Sequence, residues 1–371
     1  MASHSPDHAP EDPSTEGANY DYTSDDVARP GLVDDLESLV DGDVRFDSYS
    51  RQLYATDASA YEQTPIGVVM PASTADVAAV LEYCARREIP VLPRGGGTSL
   101  AGQTVNEAVV LDFMPEMSDV LDVDPEARTA RAQPGIRLGD LNGVLEPHGL
   151  KFAPDPAWGD KSALGGAIGN NSTGAHSLKY GKTDYYLEEA EVVLADGTIT
   201  RLGESSVDEL RAEADAGADG LLPRIYAEVV RILDEEAEEI DARYPDLKRN
   251  VSGYNLDMLL DESRGERRTP DDEGIDPDSE PGTVNLARLI AGSEGTLGIV
   301  TEATVSLEPI PNTASVALLT YDDVLDAMED VEPILEHDPA AVEVMDDVLL
   351  DLARQPAEFS DVVGVLPEGT D

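Results

Sequence analysis

The chain has 371 residues, room for two domains, and carries 77 acidic against 25 basic side chains, a formal net charge of −52. Such a charge repels nucleic acid and anionic lipid and so excludes both as partners. A single cysteine, Cys84, excludes an intrachain disulfide, a Cys-type zinc site and an iron–sulfur cluster within these residues.

The same acidity suits a cytoplasm of molar salt, where the Debye length falls to about 3 Å and self-repulsion is screened. A halophilic protein that loses structure in dilute buffer is therefore expected. There is no apolar run long enough to cross a bilayer and no signal peptide, so a cytoplasmic protein is expected, with attachment to a membrane partner left open.

In chain order, residues 1–30 read as a solvated acidic tail, and the two histidines in it, His4 and His8, make a poor metal site. Leu32, Val33, Leu36, Leu39 and Val40 mark a short amphipathic helix that packs on the main domain. From Gly67 the pattern is β-α-β. A strand over 67–70 is followed by Thr74 as cap, a helix through Arg87 with Cys84 on its apolar face beside Val77, Val80 and Leu81, and a strand near Val91. That strand feeds Arg94-Gly-Gly-Gly-Thr-Ser-Leu-Ala-Gly-Gln103, whose consecutive glycines can take positive φ and present bare N–H groups to an anion such as phosphate. The loop lacks the third glycine of G-x-G-x-x-G, and glutamine stands where a Walker loop has lysine, so neither motif is met. A plain surface turn is the competing reading.

A strand over 108–112 follows, then an antiparallel pair over 119–124 and 128–133 and a helix over 136–145. The region is mixed α+β, not a plain doubly wound sheet. Residues 153–184 hold Gly165, Gly166, Gly169 and Gly174, too dense for a helix or strand interior. With Asn170, Asn171, Ser172 and Thr173 interleaved and three of the five lysines present, the stretch reads as a second ligand-wrapping loop, against a long ordinary loop. Residues 191–202 form a hairpin around Asp196-Gly197, 208–241 are helical with solvated acidic faces, and 261–282 is a mobile insertion. A third glycine-dense turn, within 289–307, runs into a strand. After Pro311 come a strand over 315–321, a helix over 322–335, a strand over 340–344 and a helix over 346–354, the opening of a second domain whose remainder is absent.

Three of these segments, Arg94 to Gln103, Gly165-Gly-Ala-Ile-Gly-Asn-Asn-Ser-Thr-Gly174 with Lys179-Tyr-Gly181, and Gly292-Ser-Glu-Gly-Thr-Leu-Gly-Ile-Val300, resemble in order the FAD-binding domain of the vanillyl-alcohol oxidase and p-cresol methylhydroxylase (PCMH) superfamily. The nearest branch is that of D-2-hydroxyacid dehydrogenases: the glycolate oxidase large subunit, D-lactate dehydrogenase and D-2-hydroxyglutarate dehydrogenase. The resemblance spans roughly Tyr61 to Pro311. It implies an α+β, two-subdomain PCMH-type fold over 31–311, followed by the start of a truncated α+β cap domain over 312–371.

By the same resemblance, Gly95, Gly96, Gly97, Thr98 and Ser99 hold the FAD pyrophosphate. Pro134, Gly135, Gly165, Gly166, Asn170 and Gly174 line the cofactor, and Gly295 and Ile299 lie near its nucleotide end. Arg94, Gln103, Lys179, Tyr180, Gly181 and Glu294 belong to the matched motifs and complete the expected site. Relatives that bind FAD covalently have histidine where Thr98 stands, so reversible binding is implied. The implied activity is oxidation of a small D-2-hydroxyacid, with hydride passing to flavin and electrons leaving to an acceptor or iron–sulfur domain beyond this chain. A partner-dependent FAD-binding subunit of a glycolate oxidase-like complex, or another FAD-linked alcohol oxidase, are the alternatives. No catalytic base and no metal ligand is identified. His176 has no visible partner and reads as a loop-stabilising donor, while Arg249, Asn250, Gly253 and Tyr254 resemble an element that approaches the flavin, with surface placement of Arg249 equally open.

Overall fold

Parallel strands buried on both faces read as unbroken apolar runs, and two such runs build the first sheet. The computed structural model describes residues 31–216, 219–247, 249–270 and 274–354. The acidic tail over 1–30 and the stretch from 355 to 371 lie outside them. Strands β1 (Asp43–Arg45), β2 (Gly67–Met70), β3 (Val91–Arg94) and β4 (Val109–Asp112) form a four-stranded sheet in the order β1-β2-β4-β3. The last three are parallel and β1 is an antiparallel edge. The crossover helix Thr74–Ala85 buries Val77, Val80, Leu81 and Cys84 against this sheet, and the helix Leu32–Glu37 adds Leu32, Val33 and Leu36 to the same core.

Ser73, not Thr74, caps the crossover helix. Ser73 is the extended residue before the first turn and its hydroxyl accepts from the Asp76 amide, while the Thr74 hydroxyl donates instead to Glu191 of the second sheet at 2.9 Å. Asp76 itself, 4% exposed, accepts from the amides of Asp41, Gly42 and Ala72, which ties the entering chain to the helix N-terminus.

The chain continues through β5 (Val120–Asp124), β6 (Thr129–Ala132), β7 (Leu150–Lys151), β8 (Leu187–Val193), β9 (Ile199–Leu202), β10 (Glu204–Ser206), β11 (Thr283–Asn285), β12 (Ile299–Ser306) and β13 (Glu308–Pro309). Five of these make an antiparallel sheet in the order β5-β6-β12-β8-β9. The late strand β12 inserts at its centre, with strictly alternating burial, so the turn before β12 is carried into the middle of the molecule. Helices over Leu138–Leu145, Leu164–Gly169, Leu221–Glu235 and Leu256–Ser263 cover the sheet and bury Leu141, Leu145, Phe152, Leu164, Ile168 and Leu187 in the second core.

Three expectations are corrected. Gly165, Gly166 and Gly169 do lie in a helix, Leu164–Gly169. A methyl at residue 165 would sit 2.6 Å from Pro134 Cβ, so the helix approaches its neighbour more closely than any side chain allows, and tertiary contact outweighs the roughly 1 kcal/mol propensity cost per glycine. Beyond 311, neither 315–321 nor 340–344 is a strand, because no backbone among the described residues supplies a ladder there. The helix expected over 322–335 is two pieces, Val324–Glu329 and Val331–Leu335; Pro333 has no N–H to give the Glu329 carbonyl. The segment over 261–282 begins inside the helix Leu256–Ser263 and is tied to the fold by Arg267, which reaches Glu204 at 2.6 Å, and by Arg268, which reaches Asp261 at 2.6 Å. Among the described residues no helix is long and apolar enough to cross a membrane.

Candidate cofactor site

The first glycine loop leaves β3 at the end of the parallel sheet, where α/β folds hold ligands. Arg94 at its base is a strut. Its guanidinium donates to the carbonyls of Tyr54 (3.2 Å), Thr104 (3.0 Å) and Thr56 (2.8 Å), closing the loop's two ends together. Tyr54 donates to Asp112 at 2.6 Å, and burial together with that carboxylate pushes the phenol's pKa well up, so the phenol keeps its proton and the contact stays a hydrogen bond. With these side chains engaged, the donors the loop leaves for a ligand are its amides.

The second segment presses directly on the first. A methyl at residue 96 would lie 1.9 Å from the Lys161 carbonyl oxygen, and one at 95 would lie 2.7 Å from Ala163 Cβ. Thr98 Oγ1 stands 3.0 Å from Ser162 Oγ. The third turn docks on the second, with the Glu294 amide donating to the Gly169 carbonyl (2.9 Å) and the Gly292 amide to Ile168 (3.0 Å). Gly295, at φ 79, fits against Pro93, where a methyl would meet Cγ at 2.5 Å.

Gln103 joins all three. Its Nε2 donates to Asn170 Oδ1 at 3.3 Å and Glu294 Oε1 at 3.1 Å, while its Oε1 accepts from the Ser99 hydroxyl. Segments nearly two hundred residues apart in sequence thus meet on one side chain.

Between them lies a cavity of about 480 Å³. Arg94, Gly95, Gly96, Gly97, Thr98, Ser99 and Gln103 line it from the first loop, Pro134, Gly165, Gly166 and Asn170 from the second region, and Glu294, Gly295 and Ile299 from the third. The remaining expected positions stand behind this wall. Gly135 allows close packing on the Phe113 carbonyl, Gly174 on that of Asp155, and Tyr180 is a buried ring with Lys179 Nζ 5.6 Å from its centroid, next to Gly181 at φ 66. Sequence reasoning missed Phe113, Trp158 and Ser162 on the lining, while Ser172 and Ser293, inside the quoted segments, also face it. Of these, Trp158 left the clearest signal, as the one tryptophan and within a segment already singled out.

His176 Nδ1 lies 3.4 Å from Asp155 Oδ2 but makes no hydrogen bond among the described residues. Arg249 donates to Ser177 Oγ at 3.1 Å, and Tyr254 OH is 3.0 Å from Thr296 Oγ1, so the 249–254 element leans on the second and third loops without lining the cavity.

Two features leave the lining open to a ligand. Ser293 is 2% exposed, borders the cavity, and its hydroxyl has no hydrogen-bond partner in the protein, a cost of about 1–3 kcal/mol unless a ligand meets it. Gly166 has nothing within 4 Å of where a Cβ would be, so the space a side chain would fill is left open on the cavity side. Among the described residues no cluster of side chains fits a metal ion.

Comparison with known proteins agrees. Residues 65–203 match the family described as FAD binding domain. The chain is 31% identical over 329 residues to D-2-hydroxyglutarate dehydrogenase of Pseudomonas putida, covering 88% of this chain and 31% of that protein. It is 31% identical over 313 residues to the glycolate oxidase subunit GlcD of Bacillus subtilis, covering 83% and 52%. In structure it is similar to alkyldihydroxyacetonephosphate synthase, with a TM-score of 0.58 at 20% identity over 90% of this chain and 51% of that one. The chain therefore spans about a third of the dehydrogenase's length and about half of the other two. It carries an FAD-binding domain, and FAD is its cofactor. Its α+β fold is the one it shares with that structural neighbour. The third loop lies outside the matched segment, so its place on the same cavity comes from the structure alone.

Proposed function

We propose that this protein acts in the FAD-dependent oxidation of a small D-2-hydroxyacid such as D-lactate, glycolate or D-2-hydroxyglutarate. The similarity to D-2-hydroxyglutarate dehydrogenases and to a glycolate oxidase subunit supports this reading, and the meeting of three loops on Gln103 around one cavity carries it. Backbone amides of residues 95–99, with the hydroxyl pair of Thr98 and Ser162, hold the pyrophosphate; Ser293 and Asn170 orient the rest of the dinucleotide. The apolar wall from Phe113, Pro134, Ile290 and Ile299 keeps water from the rings. No histidine, cysteine or tyrosine lines the cavity among the described residues, which supports reversible attachment. When bound, FAD supplies a two-electron acceptor for hydride from the substrate's α-carbon.

The lining favours a second reading as well. Among the described residues its only ionisable side chains are Arg94 and Glu294, both engaged, which favours a base from outside this cavity for the hydroxyl proton. A further segment or a second chain would then complete the substrate pocket, and an acceptor or iron–sulfur partner would take the electrons. The acidic surface we read as an adaptation to high salt.

Dye reduction by FAD-loaded protein in molar salt, with D-lactate, glycolate and D-2-hydroxyglutarate, alone and with a candidate partner chain, tests both readings. Turnover of at least one acid is expected. Turnover of a phenolic alcohol and of none of the acids would contradict the substrate class.

A further inference from the structure

Four lysines lie among the described residues, and each has its Nζ over an aromatic ring: Lys151 and Lys179 over Tyr180, Lys182 over Tyr185, and Lys161 over Trp158 at 4.5 Å from the centroid. Tyr180 and Tyr185 are buried at 7% and 8% exposure, so those contacts finish the packing of rings already covered. Trp158 is different, because its indole is 54% exposed and borders the cavity. Of these three lysine-capped rings it alone borders the cavity.

The turn that carries it is rigid. The Trp158 carbonyl accepts from the amides of Lys161 and Ser162, both at 2.8 Å, and the Gly159 amide closes on Pro156 at 2.9 Å. Ser162 next meets Thr98 of the first glycine loop, so the indole is held at a fixed distance from the phosphate cradle. Lys161 covers the ring and adds positive charge beside it, which favours an electron-rich or anionic partner nearby.

We propose that Trp158 is a stacking platform for one of the two flat ring systems of the dinucleotide, with Lys161 fixing the indole's tilt. The assignment rests on FAD being the occupant of the cavity. A ring stacked on an indole gives up little conformational freedom, and removing such a platform by alanine weakens binding by about 5- to 150-fold.

The test titrates FAD into apo-protein in molar salt and counts bound flavin by ultrafiltration for wild type, Trp158→Ala and Trp158→Phe, with thermal melting of each apo-protein alongside. The expected result is a 5- to 150-fold weaker Trp158→Ala, a Trp158→Phe within about threefold of wild type because a ring face remains, and the same melting for all three apo-proteins. Wild-type uptake with Trp158→Ala unchanged would overturn the stacking alone. A Trp158→Ala that melts early and a phenylalanine that restores stability but not affinity would overturn it too. Wild-type protein that takes up no FAD would instead overturn the cofactor assignment on which the proposal rests.

Discussion

Gly96→Ala protein is expected to retain no FAD and to melt well below wild type. A methyl at residue 96 would stand 1.9 Å from the Lys161 carbonyl oxygen and 3.0 Å from its carbon. Both atoms are backbone, in a turn locked by the Trp158 and Pro156 carbonyls, and the opposing loop is stapled by Arg94, so neither side can yield cheaply. Overpacking costs about 1–3 kcal/mol in a tolerant core, and here relief of the clash also pulls apart the two walls of the cofactor cavity. Gly166→Leu is the contrasting case. Its Cβ meets nothing within 4 Å and leucine improves a helical position, so melting of the apo-protein should hold or rise while the side chain occupies the cofactor's space. Calorimetry with visible absorption separates the two outcomes: stability and flavin lost together at 96, flavin alone at 166. A Gly96→Ala protein that stays yellow and melts normally would show that the two loops are not in contact.

The second large effect belongs to a buried ion pair. Lys182 Nζ lies 3.0 Å from Asp184 Oδ2, with side chains 3% and 0% exposed. The same ammonium donates to the Asn250 carbonyl at 3.0 Å, and Asn255 Nδ2 reaches Asp184 Oδ2 (3.1 Å) and the Arg288 and Ala291 carbonyls (3.0 and 3.1 Å). The Asp184 amide donates to Asn171 Oδ1 at 3.0 Å. One hub thus fastens the second loop, the 249–254 element and the approach to the third turn. Asp184→Ala strands an ammonium in the interior and is expected to cost about 3–5 kcal/mol, roughly a 10 °C fall in melting temperature. The double variant Lys182→Met with Asp184→Leu removes the stranded charge and should recover much of the loss. Because water and ions do not reach the pair, the fall should be the same at every salt concentration at which the wild type is folded, unlike the effect of cutting the exposed Arg211–Asp234 pair. A loss that disappears in brine would place this pair at the surface.

Much of the fold could be read from local pattern. The strands over 67–70 and 109–112 are continuous apolar runs, the 191–202 hairpin has its Asp-Gly turn, and Gly197 takes φ 84 as that turn requires. The glycine loops were visible because unusual composition marks unusual backbone. What lay hidden was set by tertiary contact. Gly165 is in a helix because of Pro134, Ser73 wins the cap because the Thr74 hydroxyl is drawn to another sheet, and Ser293 lacks a partner only once the third turn is docked. Arg94 and Gly135 belong to the same lesson: both fall in the matched motifs, yet one staples a loop and the other permits a close backbone approach. Composition marks which residues surround a site, and only packing says which of them face into it.

The central claim is that the three glycine-dense segments enclose a single dinucleotide. Protein purified in molar salt, incubated with excess FAD and passed through a desalting column in the same salt, tests it by the flavin absorbance remaining per chain. One bound FAD per chain is the expected result; a colourless protein under those conditions would contradict the account.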